Sequence, residues 1–269
     1  MQITLMRNEI ILEPHGGLAN RMRVIASGIW LSNILQKKIK LIWNLNADLN
    51  CPFEELFEPI ENIKIVEKKI RYRFFRSVKQ ENIFKQIIRR FVKVLISSNY
   101  IIIEDAGISK IKAGEIDILT LSKAYRTLYI NTCEEFGNIT DEFKRLVPKP
   151  DIQKRIHERC KKFNQKTIGV HIRRTDHIMA INQSPTELFI RRIKADQKND
   201  TEVNYFLSTD DPETEQQLKF EFGHKILINE KDFSRKSMRG IQDALIDMYC
   251  LANTKKIYGS CGSTFSALA

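Results

Sequence analysis

The sequence lacks any apolar run of membrane-spanning length. Near its amino terminus, Arg7, Asn8 and Glu9 interrupt the apolar core that a signal peptide would need. The five cysteines are scattered without CxxC spacing, which argues against a disulfide framework and against a zinc site. Internal repeats and low-complexity tracts are also missing. These absences predict a folded cytoplasmic chain without a disulfide framework or a zinc site, and we expect no cofactor.

Acidic residues are too few to balance the basic ones, since 33 Asp and Glu face 44 Lys and Arg, for a formal net charge of +11. Such a charge favours nucleic acid, an anionic membrane surface or phosphorylated small molecules as partners. Much of it lies between Lys68 and Lys93, where apolar residues recur at helical spacing. We interpret this segment as a helix with a solvated basic face, and peripheral contact with the inner membrane surface is an added role for it.

The 269 residues are long enough for two domains. The clearest break is Val147-Pro148-Lys149-Pro150, because two prolines this close fit neither a helix interior nor a central strand. We therefore predict an amino-terminal domain over residues 1–148 and a carboxyl-terminal domain over residues 149–269. Strand and helix patterns alternate in both parts, which predicts an α/β fold with parallel sheets.

The first half opens on a strand, a glycine turn and a helix. Glu9 to Leu12 runs into HGGLANR, which is followed by a periodic segment from Met22 to Leu35. Such a turn lets the backbone approach a ligand closely and directs helix amides at an anion. The turn has neither the GxGxxG spacing of a dinucleotide site nor the GK[ST] of a phosphate loop. Further strands are predicted at residues 39–43, 63–66, 100–104 and 126–130.

The most informative stretch is TIGVHIRRTD, residues 167–176, which changes from an apolar run into two arginines and an acid. Its apolar positions are β-branched, as is typical of a buried parallel strand. Ligands of open α/β sheets bind at the carboxyl ends of such strands, so Arg173 and Arg174 are predicted to contact an anion. A guanidinium matches two phosphate oxygens at once. The residues alone equally allow arginines that pair with surface acids.

Three strands of the second half end in polar clusters: HIRRTD, STDD and GSCGSTFS. In a parallel sheet these ends share one edge, so arginines, carboxylates and hydroxyls would line a single crevice. Arginines with a serine-threonine turn suit a diphosphate, and carboxylates accept hydrogen bonds from sugar hydroxyls or a guanine edge. Taken separately, STDD is also typical of a helix cap before Pro212, and GSCGSTFS of a surface turn.

These segments together resemble one family. HIRRTD, STDDP, RGIQDALIDMYCLANTKKIYGSCGSTFS and the early HGGLANRMR are similar to motifs of the GDP-fucose-dependent fucosyltransferases. That superfamily includes the α-1,6 enzymes, rhizobial nodulation enzymes and protein O-fucosyltransferases. The likeness covers most of residues 151–269 and residues 13–30, whereas residues 45–145 carry none of it.

The resemblance implies a GT-B-like α/β architecture, in which two Rossmann-like domains have parallel sheets that face a central cleft. The carboxyl-terminal domain would bind the nucleotide sugar, and the amino-terminal domain would lie on the acceptor side. The implied reaction is an inverting, metal-independent transfer of fucose from GDP-fucose to a hydroxyl. We expect a bacterial glycan precursor as acceptor, a GDP-sugar donor as the other partner, and no nucleic acid.

The resemblance also implies site residues. Arg173 corresponds to the arginine that contacts the β-phosphate of GDP, with Arg174 beside it. A fixed arginine there would stabilise the charge that develops on the leaving diphosphate, and so would replace a metal ion. Asp247 would read the guanine edge. The donor-binding residues implied are His15, Asn20, His171, Asp210, Asp211, Asp247, Ser263 and Thr264.

The sequence departs from the family just after Asp176. The α-1,6 enzymes have a lysine and, four positions later, a glutamate, where this chain has His177 and Ile181. The general base is therefore open, and Asp176, Glu13 and Glu187 are its candidates.

Two rival functions fit the same sequence. One is a non-catalytic protein that binds polyanions or nucleic acid through its positive charge. The other is a GT-B glycosyltransferase that uses a different nucleotide sugar. A minority interpretation makes Asp210 and Asp211 metal ligands.

Overall fold

The structure is a computed structural model that describes residues 8–69, 100–175 and 177–269. The chain divides into two compact units, Met1–Val147 and Pro148–Ala269. The division falls within the Val147-Pro148-Lys149-Pro150 segment that the sequence marks as a break. The described residues of each unit form one parallel sheet with helices, as expected for an α/β fold.

The sheet of the first unit has five strands in the order β3-β2-β1-β5-β4, and every described pairing is parallel. The central strands are buried because they carry Ile, Leu and Trp at alternating or successive positions. The five strands match the five predicted ones to within a few residues. They are β1 (Glu9–Pro14), β2 (Lys38–Leu45), β3 (Ile63–Lys69), β4 (Tyr100–Glu104) and β5 (Thr127–Thr132).

Helix α1 of the first unit packs closely on β1. It spans Leu18–Leu35 and most of its residues are buried. Gly28 permits this approach, because a Cβ at that position would lie 2.0 Å from Cδ1 of Leu12. The unit also has α2 (Asp105–Lys112), α3 (Ile118–Ala124), and 3₁₀ turns at Phe53–Glu55 and Glu142–Arg145.

The second unit has a four-stranded parallel sheet in the order β8-β7-β6-β9. The strands are β6 (Ile168–Ile172), β7 (Tyr205–Thr209), β8 (Ile226–Leu227) and β9 (Ile257–Gly259). All five residues of β6 are buried, which explains why its sequence is apolar except for His171. The core of the second unit includes Val170, Ile193, Leu207 and Leu218, and none of these side chains has exposed surface.

Six helices belong to the second unit: α4 (Pro150–Cys160), α5 (Ile178–Gln183), α6 (Thr186–Asn199), α7 (Pro212–Phe222), α8 (Met238–Ala252) and α9 (Thr264–Leu268). The sequence pattern did not predict α5. Its apolar residues Ile178, Met179 and Ile181 are exposed, so the buried stripe that usually identifies a helix is missing.

In each sheet there is one pair of neighbouring strands at which the direction of the chain's progress across the sheet changes. In the first sheet the reversal lies between β1 and β5, and in the second it lies between β6 and β9. Loops that follow the strands on either side of such a point form the crevice in which ligands of α/β sheets bind. His15 follows β1 and Arg173 follows β6, so these two predicted site residues lie next to the points of reversal.

Most of the basic segment Lys68 to Lys93 lies outside the described residues, and its predicted helix and membrane contact stay predictions. Lys68 and Lys69 are described, and they complete β3. Within the described parts of the chain, none of the helices has the length and hydropathy that crossing a bilayer requires.

Candidate functional site

The arginine loop begins where β6 leaves the core of the second unit. The backbone N–H of Arg173 donates to Oγ of Ser260 at 2.9 Å. The backbone N–H of Ser260 in turn donates to the carbonyl oxygen of His171 at 3.1 Å. These bonds prolong the pairing of β6 with β9 and fix the start of the loop at the point where the strand order reverses.

Asp210, which follows β7, is bound on both oxygens by the arginine loop. Its Oδ2 accepts from the guanidinium of Arg173 and, at 2.6 Å, from the hydroxyl of Thr175. Its Oδ1 accepts from the backbone N–H of Arg174 at 2.8 Å. Arg235 approaches the same carboxylate at 3.9 Å. Asp210 therefore orients the loop, a role that the sequence analysis did not foresee for this predicted donor-binding residue.

Arg174 connects the loop to α5 and α6. Its guanidinium donates to the carbonyl oxygens of Arg173 and Ser184, both at 2.8 Å, and to Oγ1 of Thr186 at 3.1 and 3.0 Å. Burial lowers the pKa of Arg174, and the nearby Asp210 acts against that change. The side chain thus binds neutral acceptors of its own chain, which fixes the backbone that carries Arg173.

Asp211 caps helix α7. Its Oδ2 accepts from the backbone N–H of Thr214 at 2.9 Å and from the hydroxyl of Thr214 at 2.6 Å. A helix cap is the alternative role that the sequence STDD before Pro212 indicated. The second acid of the predicted pair therefore has a structural role of its own.

His171 is buried beneath the arginine loop, with 4% of its surface exposed. Its ring stacks on Phe265 of α9 with the centroids 4.8 Å apart, and its Nδ1 has no hydrogen-bond partner in the structure. Burial lowers the pKa of His171 to about 4, although the nearby Asp210 opposes the shift. The imidazole is therefore neutral near pH 7. Phe265 lies in the GSCGSTFS segment, but nothing in the sequence linked it to this histidine.

Asp247 of α8 lies in a buried polar cluster and is 2% exposed. Its carboxylate accepts from Ser208 Oγ at 3.0 Å, from Asn229 Nδ2 at 2.6 Å and from Lys231 Nζ at 2.8 Å. Lys231, which the sequence analysis did not single out, neutralises the buried charge. A guanine edge would have to share or replace one of these donors, so guanine recognition by Asp247 stays a prediction.

The serine-threonine turn after β9 forms one side of a pocket of about 440 Å³. Ser260, Gly262, Ser263 and Thr264 are among the residues that line it. Ser263 precedes α9, and its backbone N–H donates to the carbonyl oxygen of Ser260 at 3.2 Å. Arg173 does not line this pocket, so the pocket by itself does not define a diphosphate site.

The first unit holds the other two predicted donor-binding residues, His15 and Asn20. Nε2 of His15 lies 3.3 Å from Oδ2 of Asp105. Burial alone would raise the pKa of Asp105, but hydrogen bonds from Thr132 and Cys133 and the nearby His15 lower it. Oδ1 of Asn20 is buried without a hydrogen-bond partner in the structure. These residues belong to a different unit from the arginine loop.

Arg21 positions the glycine turn and was missed by the sequence analysis. It is fully buried, and its guanidinium donates to the carbonyl oxygens of Gly16 at 2.9 Å and Asn44 at 2.6 Å, and to Asn46 Oδ1 at 3.0 Å. It also lies 4.9 Å from the ring centroid of Trp43. The same helix contains Arg23 two residues later, so its sequence has no signal that distinguishes Arg21 as the fully buried arginine.

The three candidate bases differ in their surroundings. Glu13 accepts hydrogen bonds from Asn44, at 2.8 Å, and from Tyr129, one on each oxygen. Glu187 is exposed near the start of α6. Asp176 lies outside the described residues, so its predicted role as catalytic residue or base stays a prediction.

Comparisons with known proteins add a structural relationship to this geometry. Neither a protein-family model nor a curated protein sequence matches the chain. Several solved structures do match, among them NodZ alpha-1,6-fucosyltransferase soaked with GDP-fucose, with a TM-score of 0.62 and 20% identity. That match covers 97% of this chain and 91% of the other. A further structure of NodZ is described as coming from Bradyrhizobium.

Two other matches are with structures of FUT1 and POFUT1. Arabidopsis thaliana FUT1 in complex with GDP matches with a TM-score of 0.59 and 14% identity, over 100% of this chain and 69% of that one. POFUT1 in its apo form matches with a TM-score of 0.57 and 12% identity, over 100% and 95%. The chain therefore has the α/β fold of these GT-B fucosyltransferases, which confirms the α/β fold class with two parallel sheets that the sequence resemblance implied.

Proposed function

We propose that this chain is a glycosyltransferase that moves fucose from GDP-fucose to a hydroxyl of a bacterial glycan precursor. The observation that carries the proposal is the arginine loop, where Asp210 and Ser260 fix Arg173 at the edge of the second sheet. The fold supports it, because NodZ and FUT1 share that fold and their structures contain GDP-fucose or GDP.

In the proposed reaction Arg173 binds the β-phosphate of the donor. Breakage of the bond between fucose and GDP places negative charge on the departing diphosphate and positive charge on the sugar. A guanidinium that is already fixed stabilises that charge without having to reorganise. Asp210 supplies the fixation here, and Arg174 holds the adjacent backbone. The acceptor hydroxyl attacks the opposite face of the sugar and releases its proton to a general base, so the glycosidic bond forms as GDP departs and the anomeric centre is inverted.

Donor recognition is proposed to involve further residues of the second unit. Ser263 and Thr264 would bind phosphate through the turn before α9. The neutral imidazole of His171, which stacks on Phe265, would place an uncharged ring next to the arginine loop. Asp247 would accept a hydrogen bond from the guanine edge in place of the one that Lys231 or Asn229 now donates to it.

We propose that the transfer needs no metal ion at the diphosphate. Arg173 provides the positive charge that a metal would otherwise supply. Asp210 and Asp211 would be the carboxylates nearest to a metal at this edge. Their oxygens accept hydrogen bonds from the arginine loop and from the start of α7, which disfavours the minority interpretation of this pair as metal ligands.

The cellular setting is also part of the proposal. A bacterial glycan precursor would be made on the cytoplasmic side of the inner membrane, where nucleotide sugars are available. The basic segment from Lys68 to Lys93 would attract the chain to that anionic surface.

A donor screen with a matched pair of arginine variants tests the proposal. Hydrolysis of GDP-fucose, GDP-mannose and UDP-sugars is measured for the natural chain, for Arg173→Ala and for Arg192→Ala. Arg192 belongs to the same unit, but it is more than half exposed and contacts Tyr258 and Asp196. We expect GDP-fucose to be hydrolysed fastest, and only Arg173→Ala to lose activity and GDP affinity by about a hundredfold or more.

Other outcomes separate the rival functions. Preference for another nucleotide sugar, still dependent on Arg173, indicates a different GT-B glycosyltransferase. Absence of hydrolysis, together with nucleic-acid binding that falls steeply with salt, indicates a polyanion-binding protein. Unchanged GDP affinity in Arg173→Ala contradicts the phosphate role.

A further inference from the structure

Three side chains that can bind a metal converge in the first unit. His15 follows β1, Asp105 is the first residue of α2 directly after β4, and Cys133 follows β5. One ligand atom from each residue lies within 4.8 Å of the others. The three strands β1, β5 and β4 are neighbours, so their carboxyl ends bring together residues that are far apart in the sequence.

The carboxylate of Asp105 is already oriented toward the histidine. Its Oδ1 accepts from Thr132 Oγ1 at 2.6 Å and from the backbone N–H of Cys133 at 3.1 Å. Its Oδ2 lies 3.3 Å from Nε2 of His15. Hydrogen bonds that fix one oxygen of a carboxylate while the other faces the ion are typical of the residues that support metal ligands.

The charges around the cluster allow a cation to bind. Arg23 donates to the carbonyl oxygen of Cys133 at 2.7 Å, but its guanidinium also pairs with Glu134 at 3.2 Å and Glu135 at 2.7 Å. Lys112 pairs with the same two carboxylates at 3.1 and 3.2 Å. The two carboxylates therefore balance the positive charges of Arg23 and Lys112, and Asp105 adds one further negative charge to the cluster.

The cluster is also accessible. The side chains of His15 and Asp105 are 41% and 50% exposed, so an ion can reach them from solvent. Cys133 is partly buried.

We propose that His15, Asp105 and Cys133 bind one divalent transition-metal ion of the Zn²⁺ class. Zn²⁺ accepts nitrogen, oxygen and sulfur ligands together and commonly takes three from the protein, which leaves a fourth position for water. Mg²⁺ and Ca²⁺ require more oxygen ligands than the single carboxylate that this cluster provides. On binding, the thiol of Cys133 releases its proton to solvent and the sulfur forms the bond to the metal.

A hydrogen bond between His15 and Asp105 would account for two of the three residues without any metal. Cys133 is therefore the residue that distinguishes a metal site from a simple ion pair. The site lies wholly in the first unit, so its existence does not depend on the proposed GDP-sugar site of the second unit.

The test uses Zn²⁺ and Co²⁺ with the full chain after dialysis against a chelator. Zn²⁺ affinity and stoichiometry are measured by competition with a chromophoric chelator. Co²⁺ provides a spectroscopic signal, because a thiolate ligand produces a sulfur-to-metal charge-transfer band. The variants are Cys133→Ser and Asp105→Asn, and the control is Cys261→Ser, which removes an exposed cysteine of the second unit.

We expect one Zn²⁺ per chain and a charge-transfer band in the natural chain and in Cys261→Ser. Cys133→Ser should lose the band, and both ligand variants should lose Zn²⁺ affinity by about tenfold or more. Both substitutions nearly preserve side-chain size, and unchanged thermal unfolding of the metal-free variants verifies that they fold. No stoichiometric Zn²⁺ binding, or a band that persists in Cys133→Ser, would overturn the proposal.

Discussion

Asp210 and Arg173 form an ion pair in which both side chains are largely buried, with 18% and 15% of their surfaces exposed. The same carboxylate accepts from the backbone N–H of Arg174 and from Thr175. The acid thus determines where the guanidinium points, and the phosphate-binding role proposed for Arg173 depends on a residue of the neighbouring strand end.

This ion pair predicts that removing the charge of Asp210 weakens GDP binding, although the loss of a negative charge alone would strengthen it. Asp210→Asn removes a negative charge beside the proposed diphosphate, which by charge alone should strengthen GDP binding. We expect about tenfold weaker binding instead, or about 1.4 kcal/mol, because the guanidinium loses its orientation. Calorimetric titration with GDP measures the change. The control is Asp211→Ala, which should cost about 1 kcal/mol of stability through the lost helix cap and leave GDP affinity unchanged.

Two adjacent glycines should respond differently to substitution. Gly16 has a φ of 78°, and a Cβ there would lie 2.8 Å from Nδ2 of Asn20. Gly17 has a φ of −75° and nothing within 4 Å of such a Cβ. We expect Gly16→Ala to lower the free energy of unfolding by about 1–2 kcal/mol and Gly17→Ala by less than about 0.5 kcal/mol. Urea denaturation measures both, and equal effects would contradict the strain argument.

The buried pair of Asp247 and Lys231 should show strong coupling. Asp247→Asn removes the nearer of the two acids beside the ammonium of Lys231 and leaves Glu215, 3.9 Å away, as the other, and we expect a loss of about 3 kcal/mol in the free energy of unfolding. Replacing Lys231 by Met in the same chain should recover most of that loss, because the buried ammonium is then removed together with the charge of Asp247. Chemical denaturation of the two single variants and the double variant gives the coupling energy. Guanine recognition is tested separately, by comparing GDP with ADP as ligands of the double variant.

His171 should make stability depend on pH in a defined window. Burial lowers its pKa in the folded chain to about 4, from an ordinary value of 6.5. Between these values the unfolded chain binds the proton more readily, so the stabilising contribution of the neutral imidazole is lost as pH falls from 6.5 toward 4. We expect His171→Phe, which can still stack on Phe265, to show a shallower fall of unfolding free energy over this range. A parallel pH dependence in both proteins would contradict the assignment.

The cysteines should differ in reactivity toward a thiol reagent. Cys261 is exposed, whereas Cys51 is buried and its pKa is raised to about 12 by burial, with Glu55 and Glu67 adding to the effect. Since the thiolate is the reactive form, Cys261 should react first and Cys51 only after unfolding. Cys261→Ser should remove the fast phase of labelling with an aromatic disulfide. A fast phase that persists would show that another thiol is more accessible.

The strands of both sheets could be predicted because each carries a local signal. β6 is a run of apolar, mostly β-branched residues, and its end is marked by two arginines. Helix α5 could not be predicted, since Ile178 and Met179 are exposed and give it no apolar face toward the core.

The site was predictable only in part, because residue type indicates what a side chain can bind but not which partner it has. Arg173 and Asp210 were identified as separate ligands of a donor, whereas the structure joins them to each other. Arg21 and Lys231 were missed for the same reason: their roles come from acceptors more than a dozen residues away. The proposed metal ligands have no recognisable spacing, since the order of strands and not the sequence brings them together.

The hydrogen bond from Arg173 to Ser260 spans 87 residues of sequence. Closing so long a loop is slow compared with forming the local turns and helices of the unit. The arginine loop would therefore acquire its final shape only when β9 has joined β6, at a late step of folding. In a refolding experiment, the return of GDP binding should lag behind the return of helical signal.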